Sequence, residues 1–326
     1  MVIPTYNRRT DVLECLASVY AQDYPNFEVI VVDNGSEDGT YQAIQERFPA
    51  AQVVREERNC GVTGGRNRGL EQARGDFILF LDHDTLADPG MLRALVQVAQ
   101  AHPKAGIIGP KIYVYEEPDR IYSVGHQVSL VSGRVLGYGG LDRGQFEQVV
   151  EIASTPTAIF VRKAVVETIG GFDDLYFATY EDADFCQRAR RAGFKILLAP
   201  QAKLWTKIHR PSDAPLALQR IGLVNVWRTH FISRNKIIFM RRHASPCQLV
   251  LFLAVFLPLY VLYYTLRILQ AGRLDMLREY WRGLLLGLTT KFTPVFCCQG
   301  GIPVTELRIT NRTYQAHGRL NKVVSQ

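Results

Sequence analysis

The sequence predicts an α/β protein, with a mostly parallel sheet flanked by helices and a C-terminal helical region. Apolar runs typical of buried strands, such as residues 27–32 and 77–81, alternate with stretches of helical periodicity over the first 110 residues. Strands that alternate with helices are typical of βαβ units and of a parallel sheet. A long uncharged run near residue 250 departs from this pattern and indicates a separate helical region.

The first hundred residues divide into four strand–helix pairs. In the first predicted helix, Val12, Leu16 and Val19 recur at helical spacing, and Thr10 is suited to cap the N-terminus. The predicted strands are 1–3, 27–32, 52–54 and 77–81, and the predicted helices are 12–20, 41–48, 64–73 and 89–101. In such a sheet the carboxyl ends of the strands form the edge where ligands bind.

Residues 111–150 change character, because six glycines divide them into short β-like runs. They predict an irregular insertion that contains a hairpin. The α/β pattern resumes over 155–205, with predicted strands at 158–161 and 195–198 and predicted helices at 163–169 and 182–192.

Composition restricts the class of protein. The 326 residues are 47% apolar and carry a formal net charge of +7, which fits one large domain with an appendage. Six cysteines without a CxxC pair do not indicate a disulfide framework. The basic charge favours anionic partners, namely nucleotides, phospholipid headgroups, diphosphate lipids or nucleic acid, and does not choose between them. No signal-peptide pattern opens the chain, so we expect its main domain in the cytoplasm.

Two polar loops follow the first two predicted strands. The first loop contains Pro4, Thr5, Tyr6, Asn7 and Arg8, and the second begins at Asp33. Asp33 is suited to accept a hydrogen bond from a nucleobase N–H or a ribose hydroxyl, so both loops are predicted to bind a nucleotide. The alternative is a pair of ordinary turns, since Asn-Gly and Asp-Gly are common turn formers.

A glycine-rich stretch, residues 59–69, leads into a predicted helix. Gly64 and Gly65 allow the backbone to approach a ligand closely, and a helix N-terminus favours phosphate. Arg66 and Arg68 add positive charge, so we predict that Gly64 and Arg66 bind the nucleotide. The stretch matches neither GxGxxG nor a Walker loop, and the alternative is a tight loop with solvated arginines.

Two carboxylates, Asp82 and Asp84, directly follow the predicted strand 77–81. A divalent cation shared with a diphosphate would relieve their repulsion, and Mg²⁺ and Mn²⁺ prefer oxygen ligands. The alternative is a helix cap beside an exposed aspartate. His209 follows a later predicted strand and is a candidate third metal ligand, although a lone histidine is more often structural.

An acidic cluster opens the helix predicted at 182–192. It consists of Glu181, Asp182 and Asp184, and Tyr180 precedes it. Carboxylates at this position are also ordinary caps, because they interact favourably with the helix dipole. The aromatic residues and the glycine turn upstream weigh against that alternative and favour a functional site.

An uncharged run, residues 244–266, marks the C-terminal region. A spanning helix needs roughly 20 apolar residues, so the 18-residue apolar centre of this run, residues 249–266, is of borderline length, and Pro258 would kink it. Arginines flank both sides, among them Arg267 and Arg273. Symmetric basic flanks suit a segment in the interface of an anionic leaflet better than a spanning helix. The alternative is a buried pair of core helices.

Together, these motifs resemble the family-2 glycosyltransferases with the GT-A fold. The stretches VIPTYNR, VVDNGSEDGT, NCGVTGGRNRG, GDFILFLDHDT and GGFDDLYFATYEDADFCQRARRAGF occur in the order of that family, followed by a later histidine. The resemblance covers residues 1 to about 245. In detail it is similar to the bacterial rhamnosyl- and galactofuranosyl-type transferases of surface polysaccharides.

This resemblance implies roles on the donor side of the site. Asp33 would contact the nucleotide base, and Asp82 would contact the ribose or a metal ion. Asp84 and His209 match metal-ligating positions of the family, with Mg²⁺ or Mn²⁺ as the expected ion.

The resemblance also implies the reaction. Asp182 matches the general base, with Tyr180 and Glu181 on the acceptor side. We expect a single displacement that inverts the anomeric configuration, from a nucleoside diphosphate sugar to a glycan or a polyprenyl-diphosphate-linked acceptor. The QxxRW motif of processive members does not occur in the sequence, which predicts one sugar per encounter.

The predicted organisation has three parts: a nucleotide-sugar-binding catalytic domain over 1–210, a helical connector over 211–243, and a membrane-associating segment and tail over 244–326. We expect the protein at the cytoplasmic face of a membrane, with an anionic surface as partner and no nucleic acid. Two other classes stay open. A sugar nucleotidyltransferase is disfavoured because no glycine-rich basic loop follows the first strand, and an inactive binding module is disfavoured because the site carboxylates are present.

Overall fold

A mixed sheet forms the centre of the protein in a computed structural model that describes residues 1–208 and 214–291. The strands are β1 (Val2–Thr5), β2 (Ile30–Asp33), β3 (Gln52–Arg55), β4 (Phe77–Leu81), β5 (Thr85–Ala87), β6 (Ala105–Val114), β7 (Glu117–Ser123), β8 (His126–Val128), β9 (Val135–Gly137), β10 (Gly140–Leu141), β11 (Val150–Glu151), β12 (Ala158–Arg162) and β13 (Lys195–Thr206). The central order is β10-β7-β6-β12-β4-β1-β2-β3, and β13 pairs with β5, β6 and β11. The hairpin β8–β9 forms a separate small sheet and confirms the hairpin predicted within 111–150.

Most strands of the central sheet point in one direction, as the sequence predicts. β4, β1, β2 and β3 are parallel neighbours, and β13 is parallel to β6. β12 lies antiparallel between β4 and β6, so β4 and β6 point the same way. The carboxyl ends of β1, β2 and β4 therefore meet at one edge, and the loops that follow them lie together.

Helices cover both faces of the sheet. They are α1 (Arg9–Tyr20), α2 (Thr40–Arg47), α3 (Gly61–Gln72), α4 (Met91–Ala101), α5 (Lys163–Ile169) and α6 (Glu181–Arg191). Successive strand residues point to opposite faces. Ile3 and Val31 pack with α1, α2 and α4, whereas Val2 and Ile30 pack on the face of α3, α5 and α6. The predicted Thr10 cap is wrong, because Thr10 lies inside α1, which has no side-chain cap.

The longest buried strand, β6, departs from the sequence prediction. All ten of its residues are buried, although the sequence pattern predicts no strand over this segment. A Cβ at Gly106 would lie 2.7 Å from Phe194, and a Cβ at Gly109 would lie 2.3 Å from Thr155. Close packing therefore requires glycine at Gly106 and Gly109, where larger apolar side chains would have made the strand recognisable in the sequence.

The C-terminal helices form their own apolar cluster, which also includes two tyrosines from the loop before α6. These helices are α7 (Leu216–Gln219), α8 (Val226–His243), α9 (Pro246–Leu251), α10 (Leu257–Gln270) and α11 (Leu274–Thr289). α11 packs along α8, and a Cβ at Gly283 would lie 2.1 Å from the Ser233 hydroxyl. Glycine therefore allows the two helix backbones to approach closely.

A π-helical turn, Phe252–Phe256, joins α9 and α10 into one helix, Pro246–Gln270. Pro258, which lacks a backbone N–H, lies two residues after this turn, and both prolines and π-turns are common sites of helix kinks. Within the described ranges it is the one helix long and apolar enough to cross a membrane, judged by length and composition alone. Only 11% of the most apolar 18-residue stretch of this helix is buried, which leaves the alternative of a buried core helix without support.

The domain boundaries at 210 and 243 remain a prediction.

Candidate active site

The loops after β1 and β2 bind each other through Asn7. Its backbone N–H donates to the Ser36 hydroxyl at 2.9 Å, and its side-chain oxygen accepts from the backbone N–H of Glu37 at 2.8 Å. Asn7 has a φ of 49°, a left-handed conformation that asparagine tolerates better than most residues. The two polar motifs of the sequence therefore form one wall of the site. On this wall Tyr6 is half-buried and Arg8 is exposed.

Two buried oxygens at this wall are without a hydrogen bond among the described residues. Asp33 is fully buried, and its Oδ1 accepts from the backbone N–H of Ser36 at 3.0 Å. Its Oδ2 accepts no hydrogen bond, with the Arg55 guanidinium 3.7 Å away. The Thr5 hydroxyl is equally buried and unsatisfied. Unmet polar atoms of this kind are costly in a folded protein.

The glycines of the second motif are explained by packing within the protein. Gly64 and Gly65 lie inside α3, where a Cβ would approach Cys60 or Pro4 to within 2.8 Å. The close approach that requires glycine is therefore to neighbouring side chains. This corrects the expectation that the glycines make room for a ligand at a helix N-terminus, since α3 already begins at Gly61.

Arg66 has a different role from the one the sequence indicates. Its side chain is 1% exposed, so it is not the solvent-facing charge that a phosphate contact would need. The guanidinium donates to Asp82 Oδ1 at 2.8 Å and to Glu181 Oε1 at 3.4 Å, and it lies 5.0 Å from the centre of the Phe172 ring. Arg66 thus joins the acidic turn after β4 to the start of α6.

The acidic turn itself lies between β4 and β5. The His83 ring is 3.1 Å from the Pro4 carbonyl, and the Asp84 carbonyl accepts from the backbone N–H of Lys207 at 2.9 Å. This turn therefore contacts the first loop on one side and the end of β13 on the other.

Two carboxylates in one turn fit a hard divalent cation. Asp82 is 31% exposed and uses one oxygen for Arg66, which leaves the other oxygen for a metal ion. Within residues 1–208 and 214–291 there is no group of three or more histidine, cysteine or acidic side chains that could hold a metal ion. His209, the predicted third ligand, lies outside the described residues. A metal ion would need further ligands from a diphosphate or water.

At the start of α6 the three acidic side chains have different surroundings. Burial and the neighbouring Asp182 raise the pKa of Glu181 to about 7, against the opposing effect of Arg66. Asp182 is 16% exposed; its Oδ1 accepts from the backbone N–H of Ala183, and its Oδ2 lies 3.7 Å from His126 Nε2. His126 carries no signal in the sequence, because it is a lone histidine in the glycine-rich insertion.

Asp184 is structural. It is fully buried and accepts from Arg188 at 2.8 Å, from Arg242 at 3.2 Å and from His243 at 2.8 Å. Although burial opposes ionisation, the two arginines and the hydrogen bond from His243 hold the pKa of Asp184 well below its usual range. The cluster binds α6 to the end of α8, so Asp184 has no free oxygen for proton transfer.

The loop before α6 has an unusual backbone. Phe177, Thr179 and Tyr180 have φ angles of 61°, 66° and 68°, and none of them is glycine. Such conformations cost about 1–3 kcal/mol each and persist where the surroundings hold them, often at functional sites. The Tyr180 ring is buried 5.7 Å from the Phe239 ring, so it supports the loop from the α8 side. Asn235 of α8 donates from its amide to this loop, and no motif in the sequence indicates that contact.

Comparisons with known proteins agree with this architecture. The family model described as Glycosyl transferase family 2 matches residues 1–170. An N-acetylglucosaminyl-diphospho-decaprenol L-rhamnosyltransferase of Mycobacterium tuberculosis is 28% identical over 242 residues, 66% of this chain and 78% of that protein. An amylovoran biosynthesis glycosyltransferase of Erwinia amylovora is 28% identical over 215 residues, 62% of this chain and 66% of that protein.

A similar solved structure is a mannosyltransferase of Pyrobaculum calidifontis in complex with GDP-Man and Mn²⁺. It has a TM-score of 0.52 at 19% identity and covers 90% of this chain and 75% of its own, a likeness of fold. The predicted GT-A fold is confirmed. Since the family model matches just over half of the chain, residues 1–170 of 326, the protein belongs to glycosyl transferase family 2.

Proposed function

We propose that this family 2 glycosyltransferase moves one sugar per encounter from a nucleoside diphosphate sugar to a glycan or lipid-linked acceptor, with a divalent metal ion and inversion at the anomeric carbon. The observation that carries the proposal is the contact of Arg66 with both Asp82 and Glu181. It brings the proposed metal carboxylate and the helix start that bears the proposed base into one site.

The donor nucleotide would bind against the wall formed by the first two loops. The unsatisfied Oδ2 of Asp33 and the Thr5 hydroxyl support this role, because a base N–H or a ribose hydroxyl would complete their hydrogen bonding. Both atoms are closed to solvent, so this contact would require the wall to open on binding. Both lie at the carboxyl ends of parallel strands, where open α/β sheets bind ligands.

The reaction would proceed as a single displacement. Mg²⁺ or Mn²⁺, held by Asp82 and Asp84 and by His209, would neutralise charge on the departing diphosphate. Asp182 takes the proton of the acceptor hydroxyl as the new sugar–oxygen bond forms. Burial raises the pKa of Glu181 to about 7, which reduces the negative charge beside Asp182 near neutral pH, and Glu181 would lie on the acceptor side.

The acceptor would be presented at the cytoplasmic face of a membrane, as a glycan on a polyprenyl diphosphate. The name of the Mycobacterium relative, which specifies a diphospho-decaprenol acceptor, supports this chemistry. Leu259, Leu262 and Leu266 on α10, and Trp281 and Leu285 on α11, are exposed apolar side chains. Exposed apolar faces beside arginines suit the interface of an anionic leaflet, so both helices would lie in the interface.

Mixing the protein with a panel of UDP-, dTDP- and GDP-sugars tests the proposal. We expect nucleotide release from one class of donor, faster with Mn²⁺ or Mg²⁺ and abolished by a chelator. Sugar-1-phosphate plus a nucleoside triphosphate should give no nucleotide sugar. Synthesis of a nucleotide sugar would indicate a nucleotidyltransferase instead, and binding without any turnover would indicate an inactive binding module.

A further inference from the structure

We propose that Asn235 on α8 is a positioning residue for the proposed base. Its amide group holds the left-handed loop 177–180, and the loop in turn determines where α6 begins and where Asp182 lies. The inference rests on the proposed function of Asp182 and extends it to a helix outside the nucleotide-binding sheet.

The contacts of Asn235 are concentrated on one stretch of backbone. The side chain is fully buried, and its Nδ2 lies 2.9, 2.7 and 2.9 Å from the carbonyl oxygens of Tyr176, Ala178 and Thr179. The Thr179 hydroxyl is a fourth acceptor at 3.2 Å. An amide NH₂ has two hydrogens, so these bonds are shared, and no other side chain of this size offers two donors at this spacing.

The orientation of the Asn235 amide follows from its surroundings. With oxygen in place of Nδ2, the side chain would face four oxygen acceptors at once. On the other side, Arg234 Nε donates to Asn235 Oδ1 at 2.8 Å, and the same guanidinium donates to the carbonyl oxygens of Leu175 and Tyr176. Two adjacent residues of α8 therefore bind four of the five loop residues 175–179.

The loop is also held from the opposite side, by α3. The Phe177 carbonyl accepts from the backbone N–H of Thr63 at 3.3 Å, and a Cβ at Gly61 would lie 2.5 Å from that carbonyl oxygen. Phe177 also stacks on Phe231 of α8, with ring centres 5.1 Å apart. The left-handed residues thus lie between α3, which carries Arg66, and α8.

The loop leads directly into the site. Tyr180 is the N-cap of α6, and Glu181 and Asp182 are the first two helical residues. Without the Asn235 amide, the carbonyl oxygens of Ala178 and Thr179 would lose their donor, and the left-handed residues would relax toward ordinary backbone conformations. The start of α6 would then shift relative to Arg66, whereas the donor wall formed by Thr5 and Asp33 would not change.

A matched pair of substitutions on α8 separates positioning from plain stability. Asn235→Ala removes the amide. Ser233→Ala removes a buried hydroxyl that donates to the carbonyls of His230 and Tyr280, away from the loop. Asn235→Ser retains one donor on a shorter side chain. It replaces Asn235→Ala in the comparison if the alanine variant does not fold.

For Asn235→Ala we expect kcat, with the nucleotide sugar found in the panel, to fall about 10–100-fold, because a small misplacement of a reacting group costs this much. KM for the donor and nucleotide affinity should stay unchanged. Asn235→Ser should lie between wild type and alanine, and Ser233→Ala should change only thermal stability. Hydrogen exchange at residues 177–183 should accelerate in Asn235→Ala and stay at the wild-type rate in Ser233→Ala.

Equal kcat and equal exchange in the Asn235→Ala and Ser233→Ala variants would overturn the proposal, and so would a loss confined to donor KM. If the wild type releases no nucleotide from any donor, the proposed function fails. The exchange measurement then still decides whether Asn235 holds the loop.

Discussion

Replacing Arg66 by methionine tests whether one buried guanidinium holds the carboxylates of the site together. Methionine keeps most of the side-chain volume and removes the charge and the donors. Asp82 and Glu181 would then lack the partner that now lies 2.8 and 3.4 Å away. Breaking a buried ion pair costs about 3–5 kcal/mol, and we expect about 3 kcal/mol because water reaches Asp82.

The loss of stability should depend on pH through Glu181. Burial raises the pKa of Glu181 to about 7, and Arg66 acts against that rise. When folding raises the pKa of a carboxyl group, the contribution of that group to stability is fully present below its unfolded pKa. The contribution is lost as the pH rises through the pKa of the folded state. Without Arg66 the pKa of Glu181 rises further, so the variant should lose more stability relative to wild type near pH 8 than near pH 5.5.

The assay is thermal unfolding of both proteins at the two pH values, with Arg68→Met as the control. Arg68 lies on the same helix, is 51% exposed and pairs with Glu56 and Glu71 at the surface. Surface pairs contribute about 0–1 kcal/mol, so this variant should unfold close to wild type at both pH values. Equal unfolding temperatures for the Arg66 and Arg68 variants would refute the reasoning.

Three further predictions follow from the same structure. Asp84→Ala should abolish the gain in nucleotide-sugar affinity that Mn²⁺ gives in calorimetry; an unchanged gain would remove Asp84 from the metal site. Asp184→Asn should lower the free energy of unfolding at neutral pH by about 3–5 kcal/mol, because Arg188 and Arg242 lose a buried counter-charge. Because folding lowers the pKa of Asp184, its contribution to stability is present above the ordinary aspartate pKa of about 3.9 and is lost as the pH falls through the folded pKa. The stability of the variant should therefore approach that of wild type in acid. An equal difference in stability at all pH values would contradict this prediction. Replacing both Leu259 and Leu262 by aspartate should abolish co-sedimentation with vesicles of phosphatidylglycerol and phosphatidylcholine, whereas retained binding would show that α10 does not contact the membrane.

The sheet was predictable because its signals are local. β4 consists of five apolar residues followed by a charged turn, and its predicted and observed bounds coincide at Phe77–Leu81. Asp33, Asp82 and Asp84 could be placed at one edge for the same reason, since each lies at or within three residues of the carboxyl end of a strand in a parallel set. β6 could not be predicted, because its glycines are required by close packing against Phe194 and Thr155, which are distant in the sequence.

The partners of buried polar groups were the least predictable feature. Arg66 looks like a phosphate contact in the sequence, because nothing nearby indicates that Glu181, 115 residues later, lies against it. Asn235 lies in a segment predicted only as a helical connector, where a polar residue is normally solvent-exposed. One difference was predictable in principle: Asp182 and Asp184 are two residues apart on a helix, so they face different directions and cannot share a role.

The most direct test of the account is turnover by the Asp182→Asn variant. Asparagine has nearly the same shape and cannot accept a proton at neutral pH, and the loss of a positioned base costs about 10²–10⁴-fold in rate. With the nucleotide sugar found in the panel and a saturating acceptor, we expect turnover to fall by that factor, while calorimetry gives wild-type donor affinity. Turnover near the wild-type rate would contradict the assignment of Asp182 as the base and, with it, the proposed mechanism.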